Sequence, residues 1–95
     1  MQVTITGTLL RINEKKQTKK GFVWPFVLQQ PNENTRAQCF LISAFSDANG
    51  NDPYHLFDHE GIRVEAKCYL NGNEYQGKNG TAYINELKLI SIKPV

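Results

Sequence analysis

Apolar and polar residues alternate along several stretches of the chain, and this period of two is typical of half-buried β-strands. The first stretch begins at Val3 and changes parity at Leu10, which predicts a strand with a bulge or a sharp bend at or near Gly7. The second contains Pro25, which has no N–H to donate and is expected on an unpaired side or at a bulge. The patterns predict five strands, at residues 3–12, 22–29, 37–45, 62–70 and 81–92.

One short helix is predicted between the third and fourth strands. Asp52 is a suitable N-cap, Pro53 is a suitable first helical residue, and Gly61 can end the element. We therefore expect a helix of one or two turns over residues 54–59. No other segment combines a helical period with such signals, so the chain is predicted to be almost entirely β-structure.

Two long loops separate the predicted strands: a lysine-rich loop over residues 13–20 that ends at Gly21, and a flexible hairpin over residues 71–80 that contains three glycines and three asparagines. Three strands, a helix and two strands follow the order of an OB-fold, a five-stranded Greek-key barrel in which strands 2 and 3 and these loops form the usual ligand surface. The predicted fold class is all-β, with residues 1–95 as a single OB-fold domain. An SH3-like barrel is the alternative, but it would not naturally place a capped helix between the third and fourth strands.

The composition indicates a soluble globular chain. Apolar residues make up 40% and charged residues 21%, the formal net charge is +2, and no apolar run approaches the length that a bilayer requires. The N-terminus enters the alternating pattern at once, without the basic start and apolar stretch of a secretion signal, so we expect a cytoplasmic protein with no membrane partner. Cys39 and Cys68 form no Cys-x-x-Cys pair and are expected to be reduced, packed thiols.

Few residues are suited to catalysis or to metal binding. His55 and His59 are four residues apart with Asp58 nearby and could begin a metal site, but further ligands are not apparent, and two histidines on a short exposed helix are more often solvated surface or caps. The chain has neither a phosphate-binding Gly-x-x-x-x-Gly-Lys-Ser/Thr loop nor a Gly-x-Ser-x-Gly nucleophile motif. We therefore predict a binding protein that is not an enzyme and that uses no cofactor and no metal.

Clustered lysines beside aromatic residues are the strongest functional signal in the sequence. Lysines attract phosphate groups whatever the order of bases, and an aromatic face stacks on any base, so the combination is typical of single-stranded nucleic-acid binding. The predicted phosphate contacts are Lys15, Lys16, Lys19, Lys20 and Lys78, and the predicted stacking residues are Trp24, Phe40, Tyr75 and Tyr83.

Each of these residues also has an ordinary structural interpretation. A run of lysines can be a solvated loop, and Trp24 shares a strand face with Phe26, which is expected in the core. The third strand is apolar on both faces, so it is covered on both sides, presents a stacking surface, or forms a subunit interface. The sequence leaves open which face of the second and third strands points outward, because a slip of one residue exchanges the two faces.

Five short motifs occur in order along most of the chain. They are Ile-Thr-Gly-Thr-Leu-Leu-Arg (5–11), Gly21 followed by Pro-Phe-Val-Leu (25–28), Arg-Ala-Gln-Cys (36–39), Gly-Ile-Arg-Val-Glu-Ala (61–66) and Lys-Asn-Gly (78–80). Together they resemble bacterial single-stranded DNA-binding proteins, closest in layout to the primosomal replication protein N branch. The resemblance implies a homodimeric OB-fold protein that binds single-stranded DNA nonspecifically in replication, restart, recombination or repair, with replication or primosome proteins as partners. It implies that the first-loop lysines and Lys78 contact phosphates.

The sequence departs from that pattern in three ways. Gln38 stands where the primosomal branch has a tryptophan, Lys78 is alone where that branch has several hairpin lysines, and no acidic tail follows Val95. Weaker DNA affinity and no tail-mediated recruitment are therefore expected. Other interpretations stay open: a group of OB-like bacterial domains with a similar Asn-Glu-Tyr-x-Gly hairpin (73–77), a protein-interaction or dimerisation module with little nucleic-acid affinity, and an oligosaccharide-binding module. DNA and RNA are not distinguished, because the contact to the 2′-hydroxyl has no sequence signature.

Overall fold

The fold is known from a computed structural model, which describes residues 1–31, 36–46 and 49–95. In these ranges the chain forms six strands and one 3₁₀ helix. In chain order they are β1 (Gln2–Ile12), β2 (Lys16–Thr18), β3 (Gly21–Gln30), β4 (Gln38–Ser46), the 3₁₀ helix (Pro53–His59), β5 (Arg63–Gly77) and β6 (Gly80–Pro94).

The strands close into a barrel because β1 has two partners. The sheet order is β1-β5-β6-β4-β3-β2, and a further pairing of β1 with β3 joins its two sides. The first half of β1 pairs with β5 and its second half pairs with β3, both antiparallel, while β4 and β6 meet in parallel over Ile42–Leu87 and Ser43–Lys88. The predicted OB-fold barrel with one short helix before its last two strands is confirmed.

Gly7 lies where β1 passes from β5 to β3. A Cβ atom at this position would lie 2.5 Å from the carbonyl oxygen of Gln29 and 2.9 Å from Cδ2 of Leu28, both on β3. Real side chains do not tolerate such distances, so only glycine allows the two backbones to come this close. The closure of the barrel therefore depends on the absence of a side chain at Gly7.

The predicted irregularity in β1 is a change of register three residues further on. Leu9 pairs with Leu28 and Arg11 pairs with Val27, so Leu10 is the extra residue of the strand, and its side chain is exposed. A bulge of this kind returns the following residues to their proper faces. It explains why the alternation of the sequence changes parity at Leu10.

Pro25 lies inside β3 without breaking a ladder. Its carbonyl oxygen accepts a hydrogen bond of 2.8 Å from the backbone N–H of Asn13. In an extended residue the N and the C=O point to the same side, so the missing N–H faces the gap between β1 and β2. The sequence prediction that Pro25 occupies an unpaired side agrees with this geometry.

The core fills the inside of the barrel with the inward residues of every long strand. Its buried members are Ile5, Leu9, Phe26, Leu28, Ile42, Ala44, Leu56, Val64, Ala66, Cys68 and Leu89. Leu56 is the contribution of the 3₁₀ helix. Side chains from β1, β3, β4, β5 and β6 therefore share one core with the helix.

The predicted helix is present, although it is a 3₁₀ helix and carries backbone strain. As expected, Asp52 is the N-cap, and its carboxylate accepts hydrogen bonds from the N–H groups of Leu56 (2.9 Å) and Phe57 (3.1 Å). Tyr54 and His55 have φ values of 60° and 54°, a left-handed conformation that is unfavourable for side chains of this size. The cap and the buried Leu56 hold the segment in place in spite of that cost.

Strand residues occur in both predicted loops, which corrects the sequence prediction. The lysine-rich segment contains β2, which pairs with the start of β3 through Lys16–Val23 and Thr18–Gly21. The predicted long hairpin loop is instead a regular two-stranded ribbon in which β5 and β6 pair as far as Gly77 and Gly80. Only a two-residue turn joins the two strands.

The two cysteines differ in environment, and both are free thiols. Cys68 is buried, as expected, and burial raises the pKa of its thiol to about 11, so it is neutral near pH 7. Cys39 is exposed at the start of β4, which differs from the packed position predicted for it. No helix in the described part of the chain has the length and apolar character that a membrane span requires.

The close approach at Gly7 can be tested with a matched pair of variants. We expect Gly7→Ala to lower the free energy of unfolding by about 1–3 kcal/mol, because its Cβ must push β1 away from Gln29. Gly72→Ala is the control, since its Cβ would meet its nearest atom at 3.8 Å. Urea unfolding of both variants measures the difference. Equal stability of the two would show that β1 can close on β3 with a side chain present.

Candidate nucleic-acid interface

The outward surface of β3 and β4 is apolar, and its accessible part lies along β4. Cross-strand pairs point to the same side of a sheet, so the pairs Val23–Phe45 and Val27–Leu41 share one outward face, with Pro25–Ser43 between them. Leu41 and Phe45 are 59% and 38% exposed. We call this surface the β3–β4 face. It supplies one aromatic ring and several aliphatic side chains where an OB-fold binds its ligand.

Cationic side chains border the β3–β4 face on both sides. Arg11 on β1 pairs with Val27, and Lys16 on β2 pairs with Val23, which places both on the outward side of β3. On the opposite border the Lys88 Nζ lies 4.8 Å from the centroid of the Phe45 ring. A cation over a ring in this position both orients the ring and brings positive charge beside it. The face therefore combines apolar contact area with phosphate-attracting groups.

Lys15, one of the predicted phosphate contacts, is held against the protein. Its Nζ donates a hydrogen bond of 3.2 Å to the carbonyl oxygen of Gly50 and lies 4.8 Å and 5.6 Å from the ring centroids of Phe22 and Trp24. Gly50 has a φ of +68°, and a Cβ there would lie 2.9 Å from this Nζ. The ammonium group thus links the loop after β1 both to Gly50 and to two aromatic residues of β3.

The other predicted lysines of this segment lie where a ligand can reach them. Lys16 lies on β2, and Lys19 and Lys20 form the turn between β2 and β3. The turn is stabilised by Thr18, whose hydroxyl donates to the Gly21 carbonyl at 3.1 Å and accepts from the Lys20 N–H at 3.3 Å. All three lysine side chains are exposed. They project from a hairpin that adjoins the β3–β4 face.

Trp24 and Phe40 have most of their ring surface inside the protein. Both pack against the core cluster and belong to the inward faces of β3 and β4. Trp24 also contacts Phe57 edge to face with a centroid separation of 5.5 Å. Its Nε1 is buried and has no hydrogen-bond partner among the described residues. This placement leaves little of either ring for stacking on a base. The predicted stacking role of Trp24 and Phe40 would require a rearrangement, whereas Phe45 is already accessible.

The predicted contacts of the ribbon lie on both of its faces. Tyr75 pairs with Ala82 and Tyr83 pairs with Glu74, so the two tyrosines point to opposite sides. Tyr83 shares the side of the ribbon that continues the barrel interior, and Tyr75 shares the side that continues the barrel exterior. Both are exposed, as is Lys78 in the turn at the tip. One ligand strand that lies on a single side of the ribbon can therefore contact only one of the tyrosines.

The two histidines make local contacts on the 3₁₀ helix. The ring of His59 donates from Nδ1 to the carbonyl oxygen of His55 at 2.8 Å when that nitrogen carries the proton, and His55 Nδ1 lies 3.8 Å from the Asp58 carboxylate. Within the described ranges no three histidine, cysteine or acidic side chains are grouped as metal ligands would be.

The sequence analysis did not identify three residues of the candidate interface: Arg11, Phe45 and Lys88. Phe45 ends a strand that is apolar on both faces, so the sequence does not show which side its ring takes. Lys88 is far from the other lysines along the chain and reaches Phe45 only through the pairing of β4 with β6. Arg11 points outward because of the bulge at Leu10. The parity change at Leu10 was the one available signal.

Solved structures with this fold were found by comparison of coordinates, although no protein-family model matches the chain and no curated protein matches it in sequence. The chain is similar to the mitochondrial single-stranded DNA-binding protein Rim1 of S. cerevisiae, with a TM-score of 0.68 at 13% identity over 100% of this chain and 94% of that chain. A selenomethionine-labelled crystal of Rim1 gives a TM-score of 0.66 at 14% identity with the same coverage. At this identity the likeness shows that the folds are the same. The predicted membership of the primosomal branch stays a prediction.

The fastening role of Lys15 predicts a stability effect that its neighbours do not share. Lys15→Met should lower the free energy of unfolding by about 1 kcal/mol, because the hydrogen bond to Gly50 and the contacts with two rings are lost. Lys19→Met is the matched control, since no contact of the Lys19 side chain is described. Urea unfolding followed by Trp24 fluorescence measures both. An equal effect of the two substitutions would contradict this role.

Proposed function

We propose that this protein binds single-stranded nucleic acid without base specificity, through the β3–β4 face and the cations on its borders. The observation that carries the proposal is the position of Phe45, an accessible ring that lies beside the Lys88 ammonium on an OB-fold ligand surface. A base that stacks on this ring has its phosphate within reach of a cation. Binding of this kind needs no catalytic group, no metal and no cofactor.

Different cations lie on the two borders of the face. Lys16 and Arg11 attract phosphates on the β1–β2 side, and Lys88 attracts them on the β6 side. Lys19 and Lys20 extend the first border along the β2–β3 turn. Lys15 contributes charge but is engaged with Gly50, so we assign it a positioning role.

The remaining predicted contacts depend on where the nucleic acid leaves the face. Tyr83 and Lys78 would contact a strand that follows the inner side of the ribbon, and Tyr75 would contact one on the outer side. Trp24 and Phe40 support the face from below. These roles stay predictions.

The wider biological setting is proposed from the resemblance and from the fold shared with Rim1, which is described as a single-stranded DNA-binding protein. It comprises residues 1–95 acting as one domain, association into a homodimer, a cytoplasmic location, and a role in DNA replication, restart, recombination or repair beside replication or primosome proteins. Sedimentation of the free protein tests the homodimer directly.

Binding can be measured with a fluorescently labelled oligothymidine at low and at moderate salt. The wild-type protein should bind with an affinity that falls steeply with salt, because counterions are released from the phosphates. Phe45→Ala should weaken binding by about 1–3 kcal/mol, the usual contribution of one stacked base. Lys88→Gln should in addition reduce the slope of log K against log salt by about 0.7.

The control for Phe45→Ala is Tyr54→Ala. Tyr54 is 40% exposed, close to the 38% of Phe45, but it lies on the 3₁₀ helix, which contributes no residue to the β3–β4 face. Its removal should leave the affinity unchanged. No binding of the wild-type protein at low salt would refute the proposed function, and salt-independent binding to glycans in place of DNA would identify an oligosaccharide module.

A second candidate function is favoured by an apolar groove at the open end of the barrel. The groove has a volume of about 510 Å³ and lies between the starts of β1 and β4 and the base of the ribbon. Its apolar lining consists of Val3, Ile5, Phe40, Leu41, Leu70 and Leu87. In this alternative the protein is a dimerisation module, and a second copy covers the groove. Leu41→Ser would then lower the sedimentation mass, with no binding of oligothymidine by either form.

A further inference from the structure

A second cationic face lies beside the first, on the outward side of β1, β5 and β6. The register of these three strands brings their outward residues into one surface, which we call the β1–β5–β6 face. The side chains on it are Gln2, Thr4 and Thr6 from β1, Glu65, Lys67 and Tyr69 from β5, and Lys88, Ser91 and Lys93 from β6.

We propose that a single-stranded nucleic acid bound at the β3–β4 face continues across Lys88 onto the β1–β5–β6 face, where Tyr69 stacks on a base and Lys67 contacts a phosphate. This inference rests on the proposed function and extends its site. It assigns a binding role to two residues that the sequence pattern does not single out.

Continuity between the two faces is provided by Lys88. On β6 it is the cross-strand partner of Tyr69, and its Nζ lies over the ring of Phe45 on β4. Across the sheet the order of groups is therefore the Phe45 ring, the Lys88 ammonium group and the Tyr69 ring. Tyr69 is 44% exposed, and its hydroxyl accepts a hydrogen bond of 3.4 Å from the Gln2 side chain. Alternating rings and cations are the arrangement that single-stranded ligands require.

The charge of the β1–β5–β6 face suits a polyanion. It carries the ammonium groups of Lys67, Lys88 and Lys93 against the single carboxylate of Glu65, which lies 3.6 Å from Lys93 Nζ. Lys67 and Lys88 form no ion pair with any described residue. Thr4, the cross-strand partner of Lys67, adds a hydroxyl of the kind that commonly contacts phosphate. Of these two cations, Lys88 adjoins Phe45 and Lys67 lies at the centre of the face.

The same composition argues against a permanent contact between copies at this face. Stable subunit interfaces are apolar at their centres and are depleted of lysine. Here Lys67 lies at the centre, between Thr4 and Ser91. Buried in a dimer, its ammonium group would lose its hydration, which is costly.

The course toward the ribbon tip is less favourable for a polyanion. The next outward residue of β6 toward the ribbon tip is Glu86, which pairs with Asn71 on β5. Beyond it the outward side of the ribbon has Tyr75 but no lysine or arginine until the turn at Lys78. A phosphate backbone that leaves Phe45 therefore finds its next cations on the barrel.

The test compares oligothymidines of about six and about twenty nucleotides, since OB-folds occupy about 4–16 nucleotides. Tyr69 lies at least two strand spacings, about 10 Å, beyond Phe45, so a short oligonucleotide bound at the β3–β4 face reaches the β1–β5–β6 face with one end at most. We expect the wild-type protein to bind the long one more tightly. Lys67→Gln with Tyr69→Ala should lower affinity for the long one about tenfold or more and lower affinity for the short one by a smaller factor.

Two further variants separate stacking from a loss of structure. Tyr69→Phe keeps the ring and should retain the affinity of the wild-type protein for the long oligonucleotide. Tyr54→Ala removes a ring of similar exposure elsewhere and should change neither affinity. Thermal unfolding of each variant checks that the barrel is intact.

The outcomes distinguish this inference from the proposed function. If the wild-type protein binds neither oligonucleotide, the proposed function fails. If it binds both, and the double variant binds the long one as the wild-type protein does, the second face is not part of the path. A double variant that changes only the sedimentation mass would show instead that the face joins two copies, and the inference would be overturned.

Discussion

The barrel depends on one close contact, the approach of β1 to the backbone of β3 at Gly7. Because no side chain separates the two strands there, β1 can leave β5 and complete the barrel on the other side. That closure fixes which sides of β3 and β4 point inward. It brings Phe26, Leu28 and Ile42 into the core and leaves Phe45 outside. The candidate ligand surface is thus a consequence of how the barrel closes.

The fold was predictable from the sequence because each barrel strand carries its own signal. The alternation around Val64 and Ala66, the cap at Asp52 and the parity change at Leu10 each reflect contact with one core. The β5 arm of the ribbon, residues 71–77, was not predictable as strand, since its side chains are exposed on both faces and no alternation results. β2 has three residues, too few for a pattern.

The candidate site was predictable only in kind. Lysines near aromatic residues indicated the class of ligand, and Lys16, Lys19 and Lys20 lie beside the surface that the fold offers. The choice between Phe40 and Phe45 could not be made, because β4 is apolar on both sides and its orientation is set by partners distant in sequence. Lys88 becomes relevant for the same reason: its neighbour Phe45 is 43 residues away along the chain, as their numbers show.

The ribbon formed by the ends of β5 and β6 has a consequence for how the molecule opens. Beyond Leu70 its strands pair only with each other, and no core residue lies in it. A two-stranded hairpin without a packed face is marginally stable in water. Its amide protons should therefore exchange with solvent through local fraying, whereas those of the barrel should exchange only through global unfolding. The barrel and the ribbon would then open with separate free energies. A nucleic acid bound along the ribbon could make the ribbon rigid.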